Sequence, residues 1–447
     1  MKNMKFSLNM VLGCFLGLLF FCSKGVTVYG AKPVTVVLDP GHGGANLGAE
    51  YNGYTEKDMT MIVAEAMKEE LEKYDGVEVY LTREGDGDMS LEERAEFAAS
   101  KNADFLFCLH FNMSLSHELF GSEVWISAFG EEHQAGYAFA GAEMELLENM
   151  GLYPRGIKTR LNDKGEDYYG IIRHSTARDI PSAIIEHCHL DQERDESFYS
   201  SREKLKQFGI LDATAAAKYF GLKSDILGVD YSGYRKEEIP VPNAPVKPDT
   251  SEPDVCVIDV DHVDEETGEI TVSVYAADYD SYILYYSYSL DGGESFSSLY
   301  EWEPRSSDML QFTAKAPSGT VPELVVNVYN KYDYITASNH IFLPSMVYGE
   351  EETDDERKEA APENGTDDEA VEAGSMAAKN TLPAAKEKED KEKSAQQATV
   401  LYFLQVAFIC ASILFVLFLM AGLLIRKRPP SKKKRRRKKQ KPKDVVK

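Results

Sequence analysis

The chain has 447 residues, of which 43% are hydrophobic and 11% aromatic, so it is long enough for more than one domain and too apolar to be disordered throughout. Its formal net charge is −25, and residues 426–447 hold 14 basic residues and one acidic residue, which leaves −38 on the rest. A body of that charge argues against nucleic acid as its partner, whereas the basic tail taken alone fits either nucleic-acid binding or a position next to a membrane.

Both ends of the chain carry signals for export and membrane insertion. A secretory signal peptide is predicted at residues 1–30. It has two basic residues, Lys2 and Lys5, then an apolar run at residues 6–22 and a small residue before Ala31. A second apolar run at residues 400–425 is long enough to cross a bilayer as a helix. The basic tail at residues 426–447 follows directly, and such tails stay in the cytoplasm. We therefore expect a single-pass protein of the cell membrane with its bulk outside.

Residues 31–225 alternate between short apolar runs and helical patterns. Strands are predicted at residues 34–38, 77–82, 104–109, 123–127 and 182–187, and helices at residues 55–74, 90–100, 134–150 and 202–220. Thr55 with Asp58 and Ser90 with Glu93 have the spacing of capping boxes. This alternation predicts an α/β fold with a twisted, mostly parallel sheet flanked by helices.

The composition changes again after residue 225. Residues 226–253 hold five prolines and predict a linker. Period-two runs at residues 254–345 predict a small β-sandwich that resembles immunoglobulin-like modules. Residues 346–399 are acidic and predict a disordered stalk. Aromatic residues of the sandwich favour either a glycan- or protein-binding face or core packing; they are Trp302, Tyr282, Tyr285, Tyr286 and Tyr288.

Four side chains that can bind metal or transfer protons lie at the ends of predicted strands or just beyond them. His42 lies in the glycine-rich turn after the first strand, and Glu56 in the first turn of the next helix. His110 directly follows the third strand, and Glu186 lies near the end of the fifth. The carboxyl ends of parallel strands are where active sites form in α/β sheets. Two imidazoles and one carboxylate can bind a catalytic zinc ion, and a further carboxylate can transfer protons.

Each of these residues has another interpretation when taken alone. His42 fits a turn residue or a phosphate contact, and Glu56 fits a partner of the helix dipole. His110 fits a hydrogen-bonded, half-buried histidine. Glu186 is the hardest to explain structurally, because a carboxylate in an apolar strand is costly without a partner.

The order of the motifs resembles that of the zinc-dependent N-acetylmuramoyl-L-alanine amidases of the amidase-3 type, over residues 34–220. The matching segments are residues 38–44, 48–49, 56–58, 79–83, 90–95, 109–112 and 181–186. The resemblance implies that one zinc ion is bound by His42, Glu56 and His110, with Glu186 as the general acid/base. It implies that a zinc-activated water cleaves peptidoglycan between N-acetylmuramic acid and L-alanine. Arg173 and Asn112 become possible substrate contacts, although a structural role fits each of them as well.

The chain departs from the family pattern at Cys108 and at residues 187–191. Strand alternation places Cys188 on the side of Glu186, with His187 and His189 opposite. These residues fit either substrate or metal contacts or packing specific to this chain.

Two functions other than this amidase activity fit the same residues. A catalytically silent wall-binding or regulatory membrane receptor would retain the fold without the chemistry. A metallo-hydrolase of another peptide amide would retain both. Zinc content and the identity of the cleaved bond separate the three hypotheses.

Overall fold

The computed structural model describes residues 32–348. The predicted signal peptide, transmembrane helix and cytoplasmic tail, and the stalk beyond Tyr348, lie outside this range and stay predictions. Among the helices of residues 32–348, none combines the length and the apolarity needed to cross a membrane.

A six-stranded sheet forms the centre of the N-terminal domain. The strands of this domain are β1 (Val34–Pro40), β2 (Glu50–Tyr51), β3 (Tyr54–Thr55), β4 (Val77–Leu81), β5 (Phe105–Asn112), β6 (Ser122–Ile126), β7 (Pro154–Lys158), β8 (Ser182–His189), β9 (Lys223–Ser224) and β10 (Val229–Asp230). The sheet order is β4-β1-β5-β8-β6-β7, and its neighbours are parallel except for the antiparallel pair of β8 and β6. The predicted α/β fold with a mostly parallel sheet is confirmed.

Helices cover both faces of this sheet. They are α1 (Glu56–Leu71), α2 (Leu91–Ser100), α3 (Gly130–Met150), α4 (Gly170–Thr176), α5 (Glu193–Tyr199) and α6 (Arg202–Phe220). Helices α1, α3 and α6 share one apolar core with the sheet, and α2 and α4 share another on the opposite face. Phe105 and Phe107 of β5 are fully buried in the first core, where each contributes about 1.5–3 kcal/mol. Burial on both faces therefore fixes β5 and β8 at the centre of the sheet.

One of the two predicted capping boxes is present. The Ser90 side chain accepts a hydrogen bond from the Glu93 N–H, and the Glu93 carboxylate accepts one from the Ser90 N–H. The box predicted at Thr55 is wrong, because the Thr55 side chain makes no capping bond to the described part of the chain. Thr55 instead forms the outer pair of the β2–β3 hairpin with Glu50.

The C-terminal domain consists of two antiparallel sheets around a common core. Its strands are β11 (Val255–Asp264), β12 (Glu269–Ala277), β13 (Ile283–Ser289), β14 (Tyr300–Glu301), β15 (Met309–Lys315), β16 (Glu323–Asn330), β17 (Ile335–Ala337) and β18 (Ile341–Phe342). One sheet has the order β11-β12-β15 and the other β14-β13-β16-β17, with β18 also on β16. Val272 and Val326, one from each sheet, are fully buried in the same cluster. We refer to this domain as the sandwich; its immunoglobulin-like character stays a prediction.

Aromatic residues of the sandwich serve packing. Trp302 is 1% exposed, and Tyr285 and Tyr286 are buried as well, which favours the core-packing interpretation of these three. Tyr285 packs against Phe120 and Tyr153 of the N-terminal domain. The sandwich therefore lies directly against the domain that carries the predicted site.

The proline-rich segment predicted as a linker also contacts the N-terminal domain. The N–H of Val246 donates to the carbonyl oxygen of Ala128 at 2.9 Å, and the Thr159 hydroxyl donates to the carbonyl oxygen of Val246 at 2.8 Å. Gln134 of α3 donates to the carbonyl oxygen of Ile239. The segment is thus held along the surface of the domain that precedes it.

Candidate active site

His42 lies in the turn that follows β1. Its backbone φ is 62°, a left-handed conformation that is uncommon outside glycine. Two backbone hydrogen bonds between Gly43 and Asn46, of 2.9 and 3.0 Å, close the turn. Nδ1 of His42 lies 3.1 Å from Oδ1 of Asn46, and Nε2 lies 2.9 Å from Oε2 of Glu56. A proton on Nδ1 donated to Asn46 leaves the Nε2 lone pair free to bind a metal.

Two buried arginines hold this turn in place. Arg94 donates to the carbonyl oxygen of His42 at 2.6 Å and to Oδ1 of Asp39 at 2.7 Å. Arg83 donates to the carbonyl oxygen of Gly41 at 2.9 Å. The segments at residues 79–83 and 90–95, on which part of the resemblance rests, therefore shape the turn that presents His42.

Glu56 begins α1 and is 4% exposed. Its Oε2 accepts the N–H of Ala49 at 2.8 Å, and its Oε1 accepts the N–H of Phe111 at 3.0 Å. Oε1 also lies 3.0 Å from Nδ1 of His110. Burial raises the pKa of Glu56, but the hydrogen bonds with His110 and His42 outweigh it and lower the pKa overall. Glu56 is therefore held ionised between the two histidines.

Two glycines lie so close to these side chains that a Cβ atom at either position would overlap them. A Cβ on Gly48 would overlap Oε2 of Glu56 and lie 2.6 Å from Cδ2 of His42. A Cβ on Gly41 would overlap the ring of His110 and lie 2.7 Å from its Nδ1. Both positions therefore require glycine for steric reasons.

The three residues fit a zinc ion. His42, Glu56 and His110 each offer one ligand atom, and these atoms lie within 4.8 Å of one another. Two imidazole nitrogens with one carboxylate oxygen are a zinc donor set that leaves a coordination position open. Glu56 is already ionised, as a ligand has to be. The residues present could thus hold the metal that the resemblance implies.

Glu186 lies on β8 beside this cluster. It pairs in register with His110 on β5 and with Glu123 on β6. Its Oε2 is buried and has no hydrogen-bond partner among residues 32–348. Burial raises the pKa of Glu186 well above its usual value, and the charges of Glu56 and Glu123 add to this effect. An unpartnered carboxyl oxygen with a raised pKa is suited to proton transfer.

The four predicted residues line one cavity of about 440 Å³. Asn112 and Tyr169 line the same cavity. A space of this size can accept the reacting part of a sugar-peptide substrate.

Asn112 and Arg173, predicted as possible substrate contacts, both have partners within the protein. Nδ2 of Asn112 donates to Oε1 of Glu123 at 2.9 Å. Nη1 of Arg173 donates to the carbonyl oxygens of Asp167 and Tyr168 at 2.6 and 3.1 Å. These bonds support the structural alternative for both residues, and their contact with substrate stays a prediction.

The prediction that Cys188 shares the side of Glu186 is wrong. Cys188 is fully buried in the same apolar cluster as Ile185, although strict alternation would place the two on opposite faces. The pairing of β5 with β8 shifts register after the pair of His110 and Glu186. This bulge interrupts the alternation that the prediction assumed.

His187 has a packing role. Its ring is fully buried, with Nε2 3.1 Å from Asp212 and Nδ1 2.9 Å from the carbonyl oxygen of His110. It also packs against Phe111 and Phe208. Its contacts therefore support the backbone beneath His110.

Glu123 is the residue near the site that sequence reasoning missed. It is 2% exposed and lies opposite Glu186 in the sheet. The signal was available, because Glu123 is a carboxylate next to the apolar run Val124–Ile126, as Glu186 is next to the apolar run Ala183–Ile185.

Comparison with known proteins supports the resemblance. The sequence model of the amidase-3 family, described as N-acetylmuramoyl-L-alanine amidase, matches residues 36–218. The chain is 31% identical over 193 residues to the N-acetylmuramoyl-L-alanine amidase LytC of Bacillus subtilis, covering 42% of this chain and 35% of LytC. It is 36% identical over 110 residues to the probable N-acetylmuramoyl-L-alanine amidase AmiB of Haemophilus influenzae, covering 24% of this chain and 25% of AmiB.

Among solved structures, Cwp6 from Clostridium difficile matches with 28% identity and a TM-score of 0.40, covering 42% of this chain and 29% of Cwp6. The chain spans about a third or less of the length of LytC and AmiB. The match to the family model includes His42, Glu56, His110 and Glu186. Residues 36–218 therefore form a domain that belongs to the amidase-3 family of N-acetylmuramoyl-L-alanine amidases.

Proposed function

We propose that this chain is a peptidoglycan hydrolase that cleaves the amide between N-acetylmuramic acid and L-alanine of the stem peptide. The observation that carries the proposal is the convergence of His42, Glu56 and His110 beside the unpartnered carboxyl oxygen of Glu186. Membership of the amidase-3 family supports the choice of bond and substrate.

The reaction requires a polarised amide and a group that moves a proton. A zinc ion held by His42, Glu56 and His110 would supply Lewis-acid activation of the carbonyl and of the attacking water. Glu186 takes up the proton of that water at Oε2 and delivers it to the nitrogen of the leaving L-alanine. Because burial raises the pKa of Glu186, the carboxyl group holds this proton until the nitrogen accepts it as the C–N bond breaks.

The rigid setting of these residues supports the same reaction. Glu56 is fixed by two backbone N–H donors, and the turn of His42 is fixed by Arg94 and Arg83. Side chains that are already oriented lower the entropic cost of reaching the transition state.

We also propose that the enzyme acts outside the cell while anchored in the membrane. The apolar run at residues 400–425 with the basic tail at residues 426–447 supports one C-terminal span with its tail in the cytoplasm. An acidic body gains no electrostatic attraction to an anionic envelope, so a tether keeps it near its substrate.

Cleavage is tested with the full chain, loaded with zinc and incubated with purified peptidoglycan. We expect about one bound zinc ion per chain and release of stem peptides with a free amino-terminal alanine. Glu186→Gln is the matched control, which should retain zinc and lose cleavage. Wall binding without cleavage under these conditions would contradict the proposal and favour the silent receptor.

Anchoring is tested by fractionating cells that produce the full chain or a chain that ends before Val400. We expect the full chain in the membrane fraction and the shortened chain outside it, with equal cleavage of added peptidoglycan. A shortened chain that stays in the membrane fraction would contradict the proposed anchor.

A further inference from the structure

The carboxylate of Glu123 lies at the centre of a buried polar network next to Glu186. Glu123 and Glu186 are directly opposite each other on antiparallel strands, so their side chains project from the same face of the sheet. Oε1 of Glu123 accepts hydrogen bonds from Nδ2 of Asn112 at 2.9 Å and from Nε1 of Trp125 at 3.0 Å. Glu123 thus ties the end of β5, which carries His110, to β6.

Two buried cations neutralise this carboxylate. Oε2 of Glu123 accepts from Nε of Arg155 at 2.7 Å and from Nζ of Lys158 at 2.6 Å. The side chains of Arg155 and Lys158 are 2% and 1% exposed. A buried carboxylate is stable only when such partners are present, because desolvation of an unpaired charge costs several kcal/mol. The position of Glu123 therefore depends on Arg155 and Lys158.

The sandwich supplies the other partners of Arg155. Nη2 of Arg155 donates to Oδ2 of Asp333 at 2.7 Å, and Nη1 lies 3.0 Å from the hydroxyl of Tyr285. Tyr285 donates in turn to the carbonyl oxygen of Phe120, just before β6. The guanidinium group is therefore oriented by the sandwich on one side and by Glu123 on the other.

The turn that presents Asp333 is well defined. Asp333 has a φ of 68°, and its N–H donates to the carbonyl oxygen of Asn330 at 3.0 Å. The side chain of Asn330 donates to Asp249 and Asp278 at 2.9 Å. A fixed turn can hold the guanidinium of Arg155 in one orientation.

We propose that the sandwich is part of the catalytic unit and acts through Asp333, Tyr285 and Arg155. These are positioning residues: they hold Glu123 and Asn112 so that β5 and β8 present His110 and Glu186 in the reactive arrangement. This inference rests on the proposed amidase function and adds to it a role for the C-terminal domain.

The test uses the full chain and two mild variants, Asp333→Asn and Tyr285→Phe. Asparagine tolerates the same left-handed backbone, so the turn is retained while the negative charge is lost. The matched control is Glu301→Gln, which removes an ion pair with Arg194 that joins the same two domains at 3.7 Å but has 49% and 40% exposed side chains.

With a soluble muropeptide as substrate, we expect each variant to lower kcat about tenfold while KM stays within about twofold, because misplaced groups lose transition-state stabilisation. Zinc content should be unchanged, and Glu301→Gln should match the unaltered chain. Because Asp333 acts through Arg155, adding Asp333→Asn to Arg155→Lys should lower kcat less than the two separate effects combined.

Three results would overturn the inference. If the unaltered chain cleaves while both variants match Glu301→Gln, the inference fails and the proposed function stands. If kcat per folded molecule is unchanged and only the folded fraction falls, the residues serve stability alone. If the unaltered zinc-loaded chain does not cleave, the proposed function and the inference fail together.

Discussion

Gly48 offers a direct test of the geometry around Glu56 and His42. A methyl group at this position would overlap Oε2 of Glu56 and lie 2.6 Å from Cδ2 of His42. Ordinary van der Waals contact begins at 3.4 Å, so the imidazole of His42 would have to move away by roughly 0.8 Å. Metal–ligand distances tolerate a change of only about 0.2 Å. We expect Gly48→Ala to weaken zinc binding by about 10- to 100-fold, equivalent to roughly 1.4–2.7 kcal/mol.

Gly53 is the matched control for this substitution. Its φ of 84° is close to the 73° of Gly48, but a Cβ there would meet no atom of residues 32–348 within 4 Å. Both variants should lose about 1–2 kcal/mol of unfolding free energy, because alanine is strained in a left-handed conformation. Only Gly48→Ala should lose zinc affinity, measured by competition with a chelator of known affinity. Equal affinities for the two variants would refute the steric argument.

Two further predictions concern stability. Burial and the nearby charge of Arg155 lower the pKa of His189 from 6.5 to about 3 in the folded chain. Between these two pH values, His189 is protonated in the unfolded chain and neutral in the folded chain. Relative to His189→Asn, the unaltered chain should therefore lose about 2 kcal/mol of unfolding free energy between pH 7 and pH 5, measured by urea denaturation. If the difference in unfolding free energy between the two chains does not change with pH, the prediction is contradicted. Ser90→Ala should cost about 1 kcal/mol of unfolding free energy through loss of the capping box. Thr55→Ala should cost less, because its side chain makes no cap bond in the described range, and equal losses would contradict the capping assignment.

Strong local patterns predicted the central part of the fold. Buried parallel strands such as β1 and β5 are mostly apolar, and α6 occupies the predicted residues 202–220. Strand β7 has the sequence Pro-Arg-Gly-Ile-Lys, which shows no apolar pattern typical of a buried strand, and was therefore missed. Its charged residues are buried because they form ion pairs with Glu123 and Asp333. The short helices α4 and α5 were missed because seven residues give little periodicity.

The candidate site was predictable because three of its residues lie at or near the ends of predicted strands. His42, His110 and Glu186 lie at or near the carboxyl ends of parallel strands, where topology alone brings side chains together. The contact of Arg155 with Asp333 joins residues 178 positions apart in two domains, and no local pattern signals it. The side of Cys188 depended on a bulge that the sequence does not mark.

The most direct measurement is the mass of the fragments that the zinc-loaded full chain releases from purified peptidoglycan. The account predicts intact stem peptides that begin with L-alanine, glycan strands that retain their lactyl groups, and neither product with Glu186→Gln. Fragments cut within the stem peptide or the glycan, or cleavage by Glu186→Gln at the rate of the unaltered chain, would contradict it.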